Sequence, residues 1–305
     1  MPIIIPKDLP AFEKLQQEQV FVIDENRAIH QDIRPLKIAI VNLMPQKEKT
    51  ESQLLRMLAN TPLQVEFDFI FPKNVYTPKN TDPSHLQKFY QSFDDIKDKK
   101  YDGMIITGAP VEDLAFEDVA YWQEISKIFD FCKTNVHSTL FICWAQQAAM
   151  YHYYGIQKQM LKQKLFGVFS HQVEQKHPLV QGFDDCFFIP HSRHSESINP
   201  QIRHHPNLNV IISSEKAGIY LACDTSHNFV FVSGHSEYDR ETLFDEYQRD
   251  KNAGLNIAVP ENYFQQDDPS QKILYNWQAH STLLFSNWLN ALQNQRLIEK
   301  VLSQI

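Results

Sequence analysis

The chemistry of this chain is arranged around Cys143. It lies in Ser138-Thr-Leu-Phe-Ile-Cys143-Trp-Ala-Gln-Gln-Ala-Ala-Met150, where a short apolar β-type run, Thr139 to Ile142, gives way to a helix-compatible run, Ala145 to Tyr153, free of Gly and Pro. A cysteine between a strand end and a helix start sits exposed on a tight turn. It also faces the positive end of the helix dipole, which favours thiolate over thiol. For an arbitrary cysteine a buried core position is the better reading, but two other stretches supply what a nucleophile needs. In Gly234-His-Ser-Glu-Tyr238, His235 could deprotonate Cys143 or a substrate hydroxyl, and Glu237 could fix its tautomer and stabilise its cation. Thr107-Gly-Ala-Pro110 closes another strand-like run, and the N–H groups of Gly108 and Trp144 could form an oxyanion hole. Together these make a nucleophile, a base and an orienting acid.

The elements that must position these residues alternate. Leu36 to Leu43 is a near-continuous apolar strand of the kind buried on both faces of a parallel sheet. Thr50 to Leu58 reads as an amphipathic helix, Val65 to Ile70 as a strand, residues 72 to 83 as a loop, and Ser84 to Phe93 as a helix capped by Asp82 or Ser84. The strand ending at Gly108, a helix from Tyr121 to Cys132 and the Cys143 strand follow. This β-α-β-α-β-α order predicts a flavodoxin-like, doubly wound α/β fold with a mostly parallel sheet. Its ligands bind at the carboxyl ends of strands, where Gly108, Cys143 and His235 all fall. Past Leu165, short β-type runs (Phe166 to Val173, Cys186 to Ile189, Val210 to Ser213, Gly218 to Ala222) suggest a small antiparallel insertion. Phe229 to Gly234 returns as a core strand, followed by a helix from Arg240 to Asp250, a loop over 260 to 273 and a long helix from Ser281 to Leu302. Residues 1–34 read as an N-terminal arm packed on the body and 35–305 as one α/β domain.

Composition narrows the class. The 305 residues are 43% apolar and 22% charged, the balance of a globular chain with a sizeable core. A net charge of −8 without a dense Lys/Arg block argues against nucleic acid as partner. The N-terminus lacks the pattern of a signal peptide and no apolar run approaches the roughly 18 residues of a membrane span, so the expected location is cytoplasmic. The four cysteines show no C-x-x-C pairing and there is no metal-ligand spacing, so no metal is expected. Only eight glycines are present, and two of them, Gly108 and Gly234, end strand-like runs.

A cysteine with a distant His-x-Glu on such a sheet resembles the class I glutamine amidotransferases. However, Phe141 and Ala145 occupy the glycine positions of their Gly-x-Cys-x-Gly elbow, which speaks against a glutaminase. The chain is much more similar to the homoserine O-succinyltransferase/O-acetyltransferase family of methionine biosynthesis. Ile33-Arg-Pro-Leu-Lys37, Asn42-Leu-Met-Pro45, Thr107-Gly-Ala-Pro110, Phe141-Ile-Cys-Trp144, Pro190-His-Ser-Arg193, Gly234-His-Ser-Glu-Tyr-Asp239 and Asn287-Trp-Leu-Asn290 carry the resemblance, which covers essentially the whole chain.

That resemblance implies ping-pong acyl transfer to the hydroxyl of L-homoserine. The acyl-thioester nucleophile would be Cys143, the base His235 and the supporting acid Glu237. The acyl-donor lysine would be Lys164, and the homoserine contacts Ser192 and Arg249, with Glu246 on the same segment. From the residues alone, Lys164 and Arg249 read as surface charges, although a guanidinium fork suits an amino-acid carboxylate. The family has glutamate at the position of Glu112 in acetyltransferases and glycine in succinyltransferases. Physically, a glutamate there fills the space of a succinyl group and repels its carboxylate. The donor expected is therefore acetyl-CoA, as a co-substrate with no resident cofactor; the alternatives are a homoserine O-succinyltransferase and a non-catalytic amino-acid-binding relative. L-homoserine and acetyl-CoA are the expected partners, with a homodimer left open. Two positions depart from the family: Ser236 replaces a frequent proline, which would loosen its turn, and Gln278 stands where arginine is expected.

Overall fold

In the computed structural model, residues 3–18, 22–23, 35–72, 81–224 and 226–302 are described. Residues 24–34, with the Ile33-Arg34 part of one motif, and residues 73–80 of the expected loop lie outside them.

Strands that read as continuous apolar runs do so because both faces of the sheet are covered. Along β3 (Leu36–Val41), Ile38 and Ile40 join one core while Ala39 and Val41 join the other. The first core is closed by α2 (Lys47–Ala59) and by the long C-terminal helix. The second is closed by α5 (Trp122–Asn135) and α6 (Trp144–Tyr154). In chain order the elements are β1 (Ile3–Ile4), α1 (Pro10–Gln17), β2 (Val22–Ile23), β3, α2, β4 (Val65–Ile70), α3 (Pro83–Phe89), β5 (Tyr90–Gln91), α4 (Phe93–Ile96), β6 (Tyr101–Ile106), α5, β7 (Val136–Ile142) and α6. They continue with β8 (Lys158–Val173), β9 (Cys186–Ser197), α7 (Asn199–His204), β10 (Asn209–Ser214), β11 (Gly218–Asp224), β12 (Phe229–Val232), α8 (Thr242–Asn252) and α9 (Gln278–Leu302).

Among the described residues these strands form one twelve-stranded sheet, ordered β2-β1-β4-β3-β6-β7-β12-β11-β10-β8-β9, with β5 added beside β4. From β2 to β12 the pairings are parallel; from β12 through β11, β10, β8 and β9 they are antiparallel. The mixed α/β class with a mostly parallel core is therefore as the pattern predicts. The β-rich segment, however, extends the central sheet instead of standing apart, and β8 and β9 are much longer than their apolar runs. Among the described residues no helix is long and apolar enough to cross a membrane.

One predicted helix breaks. The Ser84-to-Phe93 run stops at Phe89, because the Tyr90 hydroxyl donates to the buried Glu51 carboxylate at 2.6 Å and also accepts from Asn42 at 2.9 Å. Tyr90 and Gln91 take strand geometry on β4, and Ser92 with Asp95 caps a new short helix, α4. The cap at Asp82 is as expected, accepting from the N–H of Ser84.

Candidate active site

β6, β7 and β12 are adjacent and parallel, so their carboxyl ends meet. Cys143 follows β7 and caps α6 with φ 52° and ψ −112°, a left-sided conformation costly to any residue with a Cβ. Its N–H is held by the carbonyl of Val232 at the end of β12, at 2.8 Å. Strained strand–turn–helix geometry of this kind lifts a nucleophile off the sheet edge. The two positions that are glycine in the amidotransferase elbow are filled here by core residues. Phe141 stacks on Phe231 with ring centroids 5.2 Å apart, and Ala145 is fully buried against the second core.

Gly108, at the end of β6, abuts this elbow. A Cβ built on it would lie 3.3 Å from Cβ and 3.8 Å from Sγ of Cys143, and 3.8 Å from Cε1 of His235. Gly108 thus lies in van der Waals reach of both Cys143 and His235, with one tight approach at the Cys143 Cβ. Trp144 is the first residue of α6, whose leading N–H groups have no acceptor within the helix. Both residues border Cys143, one beside it and one directly after it.

His235 is buried at 3% exposure, and its Nδ1 lies 2.7 Å from Oε1 of Glu237. Its ring is stacked on Tyr238 with centroids 4.2 Å apart. Burial works against the imidazolium. The negative charge of Glu237 and then the Cys143 side chain, with hydrogen bonds from His235 to both, outweigh it and hold the pKa well above the ordinary histidine value. Cys143, His235 and Glu237 are thus brought together as their spacing predicts.

A second cluster gathers beside them. Glu246, on α8, accepts from the Tyr238 hydroxyl at 2.9 Å and from the Ser192 hydroxyl at 2.5 Å. Lys164, on β8, lies 3.5 Å from Glu246 and 3.5 Å from Asp250, with its ammonium 4.2 Å from the centre of the Phe166 ring. Its side chain is only 11% exposed, so the surface-charge reading fails for Lys164. For Arg249 it holds: the guanidinium is 65% exposed and paired with Asp250 at 2.6 Å, reaching the cluster only through that carboxylate. Glu112 sits half-buried in the turn after Gly108, where its carbonyl accepts from Lys158 at 2.5 Å.

The departures also find places. Ser236 does not loosen its turn: it is 2% exposed and its hydroxyl lies 2.5 Å from that of Tyr220. Gln278 is exposed on the wall of a separate cleft of about 1030 Å³ shared with Arg56 and Asp239. Sequence reasoning passed over two buried cations. Lys47 is 1% exposed, donates to the Asn42 carbonyl one strand from Gly108, and is lowered to about 8 by desolvation against the pull of Glu51. Arg193 is 3% exposed and donates to the carbonyl of Ala217 at 2.6 Å. The only signal for either was its position inside or just after a family-like motif. Among the described residues no cluster of side chains is arranged to hold a metal ion.

Solved structures with a similar fold include glutamine amidotransferases. One from Thermotoga maritima superposes with a TM-score of 0.55 at 12% identity, covering 85% of this chain and 99% of that one. Another, from Methylobacillus flagellatus, gives 0.52 at 10% identity, covering 85% and 95%. Sequence relatives are much nearer. A homoserine O-acetyltransferase of Acetivibrio thermocellus is 53% identical over 291 residues, 95% of each chain. One of Clostridium tetani is 54% identical over 293 residues, again 95% of each. One of Bacteroides thetaiotaomicron is 53% identical over 291 residues, also 95% of each. The model of the homoserine O-succinyltransferase family matches residues 2–297. With that match spanning nearly the whole chain and the motif residues meeting at the ends of β6, β7 and β12, the chain belongs to the homoserine O-succinyltransferase family.

Proposed function

We propose that this chain is a homoserine O-acetyltransferase that works through an acetyl-thioester on Cys143. The observation that carries the mechanism is the strained Cys143 elbow in hydrogen-bond contact with the buried His235–Glu237 pair. In the first half-reaction the Cys143 sulfur forms a bond to the acetyl carbonyl carbon. The N–H groups of Gly108 and Trp144 receive the oxyanion, the carbon–sulfur bond to CoA breaks, and His235 returns a proton to the departing thiolate. In the second, His235 takes the proton of the homoserine hydroxyl as its oxygen attacks the thioester, and the Cys143 sulfur leaves. No resident cofactor enters either step; acetyl-CoA is consumed as a co-substrate. Ser192, Glu246 and Lys164 line the side from which substrates approach. Glu246 suits the homoserine ammonium and Arg249, once swung inward from Asp250, its carboxylate. Next to Lys164 opens a cleft of about 800 Å³, lined also by Lys162, Phe166, Phe169 and Lys216, which suits the long CoA arm.

Mixing the protein with acetyl-CoA alone and weighing it intact tests this reading. The expected result is a gain of one acetyl group on the peptide containing Cys143, discharged by adding homoserine. Product formation without any covalent intermediate would falsify the scheme.

Succinyl transfer is the second reading, because the matching family model carries that name. Three relatives above half identity are named for acetyl transfer. Glu112 supports acetyl through the space it fills. Its charge argues less strongly, because the ammonium of Lys158 is bound to the same turn.

A further inference from the structure

His235 sits between two small residues, and each is gripped from beneath by a buried aromatic side chain. Before it, Gly234 has no room for a side chain: a Cβ would lie 2.8 Å from Cε1 and 2.9 Å from Nε2 of His191. The imidazole of His191 is therefore packed directly under the backbone. After it, the Ser236 hydroxyl lies 2.5 Å from that of Tyr220, a residue only 1% exposed. The edge of the Tyr220 ring rests on both His171 and His191, at centroid distances of 5.2 and 6.2 Å.

The two histidines are themselves fixed, and their protons can be assigned by elimination. The carbonyl of Phe169 can only accept, so Nδ1 of His171 donates to it at 2.8 Å. The Nε2 atoms of His171 and His191 are 3.1 Å apart, and with His171 neutral its Nε2 must accept from that of His191. Nδ1 of His191 then accepts from Nη1 of Arg193, whose Nη2 is anchored on the Ala217 carbonyl. Both imidazoles are neutral on this assignment. Burial agrees, lowering His171 to about 4 and His191 well below its ordinary value.

We infer that Tyr220 and Ser236, seated on the His171–His191–Arg193 chain, are positioning residues for the base, clamping the backbone on either side of His235. Glu237 and the stacked Tyr238 orient the imidazole, and the Pro190 carbonyl holds the His235 N–H at 2.9 Å, while the backbone that follows His235 is tied down through the Ser236–Tyr220 bond. A misplacement of about 1 Å at a catalytic group costs on the order of a hundredfold in rate. Stability alone does not account for the cluster. Well-packed apolar side chains serve a core at least as well as a buried polar chain, whereas hydrogen bonds of assigned direction permit one orientation only. The inference rests on His235 acting as partner of Cys143, but not on which acyl donor is used.

Tyr220→Phe keeps the ring and removes only the hydroxyl; Ser236→Ala removes the other half of the same bond. Each is expected to lower both kcat for acetyl transfer and the rate of Cys143 alkylation by iodoacetamide about tenfold, less than the roughly 10²–10⁴-fold that a proton-transfer partner itself contributes. KM for homoserine should not change. The double variant should be no slower than the worse single, since only one bond is lost. If folded Tyr220→Phe melts earlier yet keeps both rates, the cluster is merely structural and the inference fails; multiplicative losses in the double variant also overturn it. Alkylation needs no acetyl-CoA, so slower alkylation alongside an unmodified protein that never transfers acetyl would sink the proposed donor and leave the clamp standing.

Discussion

At the scale of single residues, the elbow concentrates what the chain can do. Cys143→Ser keeps a similar volume but replaces a nucleophilic sulfur with a far less acidic hydroxyl. The expected outcome is loss of acetyl transfer by a factor of at least about 10³ with an unchanged fold, read as kcat beside a circular dichroism spectrum. Normal turnover would end the covalent mechanism. Glu112 speaks to the donor. Glu112→Gly should raise kcat/KM for succinyl-CoA relative to acetyl-CoA by roughly tenfold to a hundredfold, about 1.4–2.7 kcal/mol of discrimination. An unmodified protein that already prefers succinyl-CoA would show that Glu112 does not set the acyl group. Cys143, His235 and Glu237 were legible because each ends or follows an apolar run. Lys164 needed the family resemblance, since nothing local separates it from a solvated lysine. Lys47 and Arg193 were illegible for a physical reason: a cation is among the last groups expected inside, and only the tertiary fold supplies the carbonyls that receive them.

At the scale of elements, the parallel core was readable and its edges were not. The bounds of β4 match the alternating Val65-to-Ile70 run, and the helix after Cys143 extends its predicted span by one residue at each end. By contrast, the first half of β8 is largely polar with none of its residues buried, so no hydrophobic period marks it; backbone pairing with β9 makes it a strand. α9 shows how an element is locked. The Trp288 ring lies on Gly103 of β6, where a Cβ would fall 2.8 Å from Cη2, while its Nε1 donates to the Ser138 hydroxyl at 3.0 Å. Gly103→Ala must push this large ring or its helix aside. A destabilisation of about 1–3 kcal/mol is expected, measured as a lower urea midpoint at constant slope. An unaltered midpoint would mean that α9 yields freely and does not brace the sheet.

For the whole molecule, the buried neutral histidines set an acid limit. His171 is held at about 4, below its ordinary value near 6.5, because burial opposes its charge. As pH falls through that window the unfolded chain takes up protons that the native chain refuses. The stability associated with the neutral ring is thus complete above about 6.5 and is lost toward about 4, at about 1.4 kcal/mol per pH unit. His191, lowered by burial and then by Arg193, adds in the same direction. Urea midpoints measured between pH 7 and pH 4.5 should fall, and fall less steeply in His171→Gln; parallel curves for the two proteins would refute the assignment. The sheet has a consequence in time as well. β7 and β12 lie side by side, yet the chain completes all of β8 to β11 before it returns from one to the other. A growing chain therefore carries Cys143 long before it carries His235, and before Val232 exists to pin the Cys143 N–H. On the proposed mechanism, truncated or half-folded chains that lack a docked β12 hold no complete elbow.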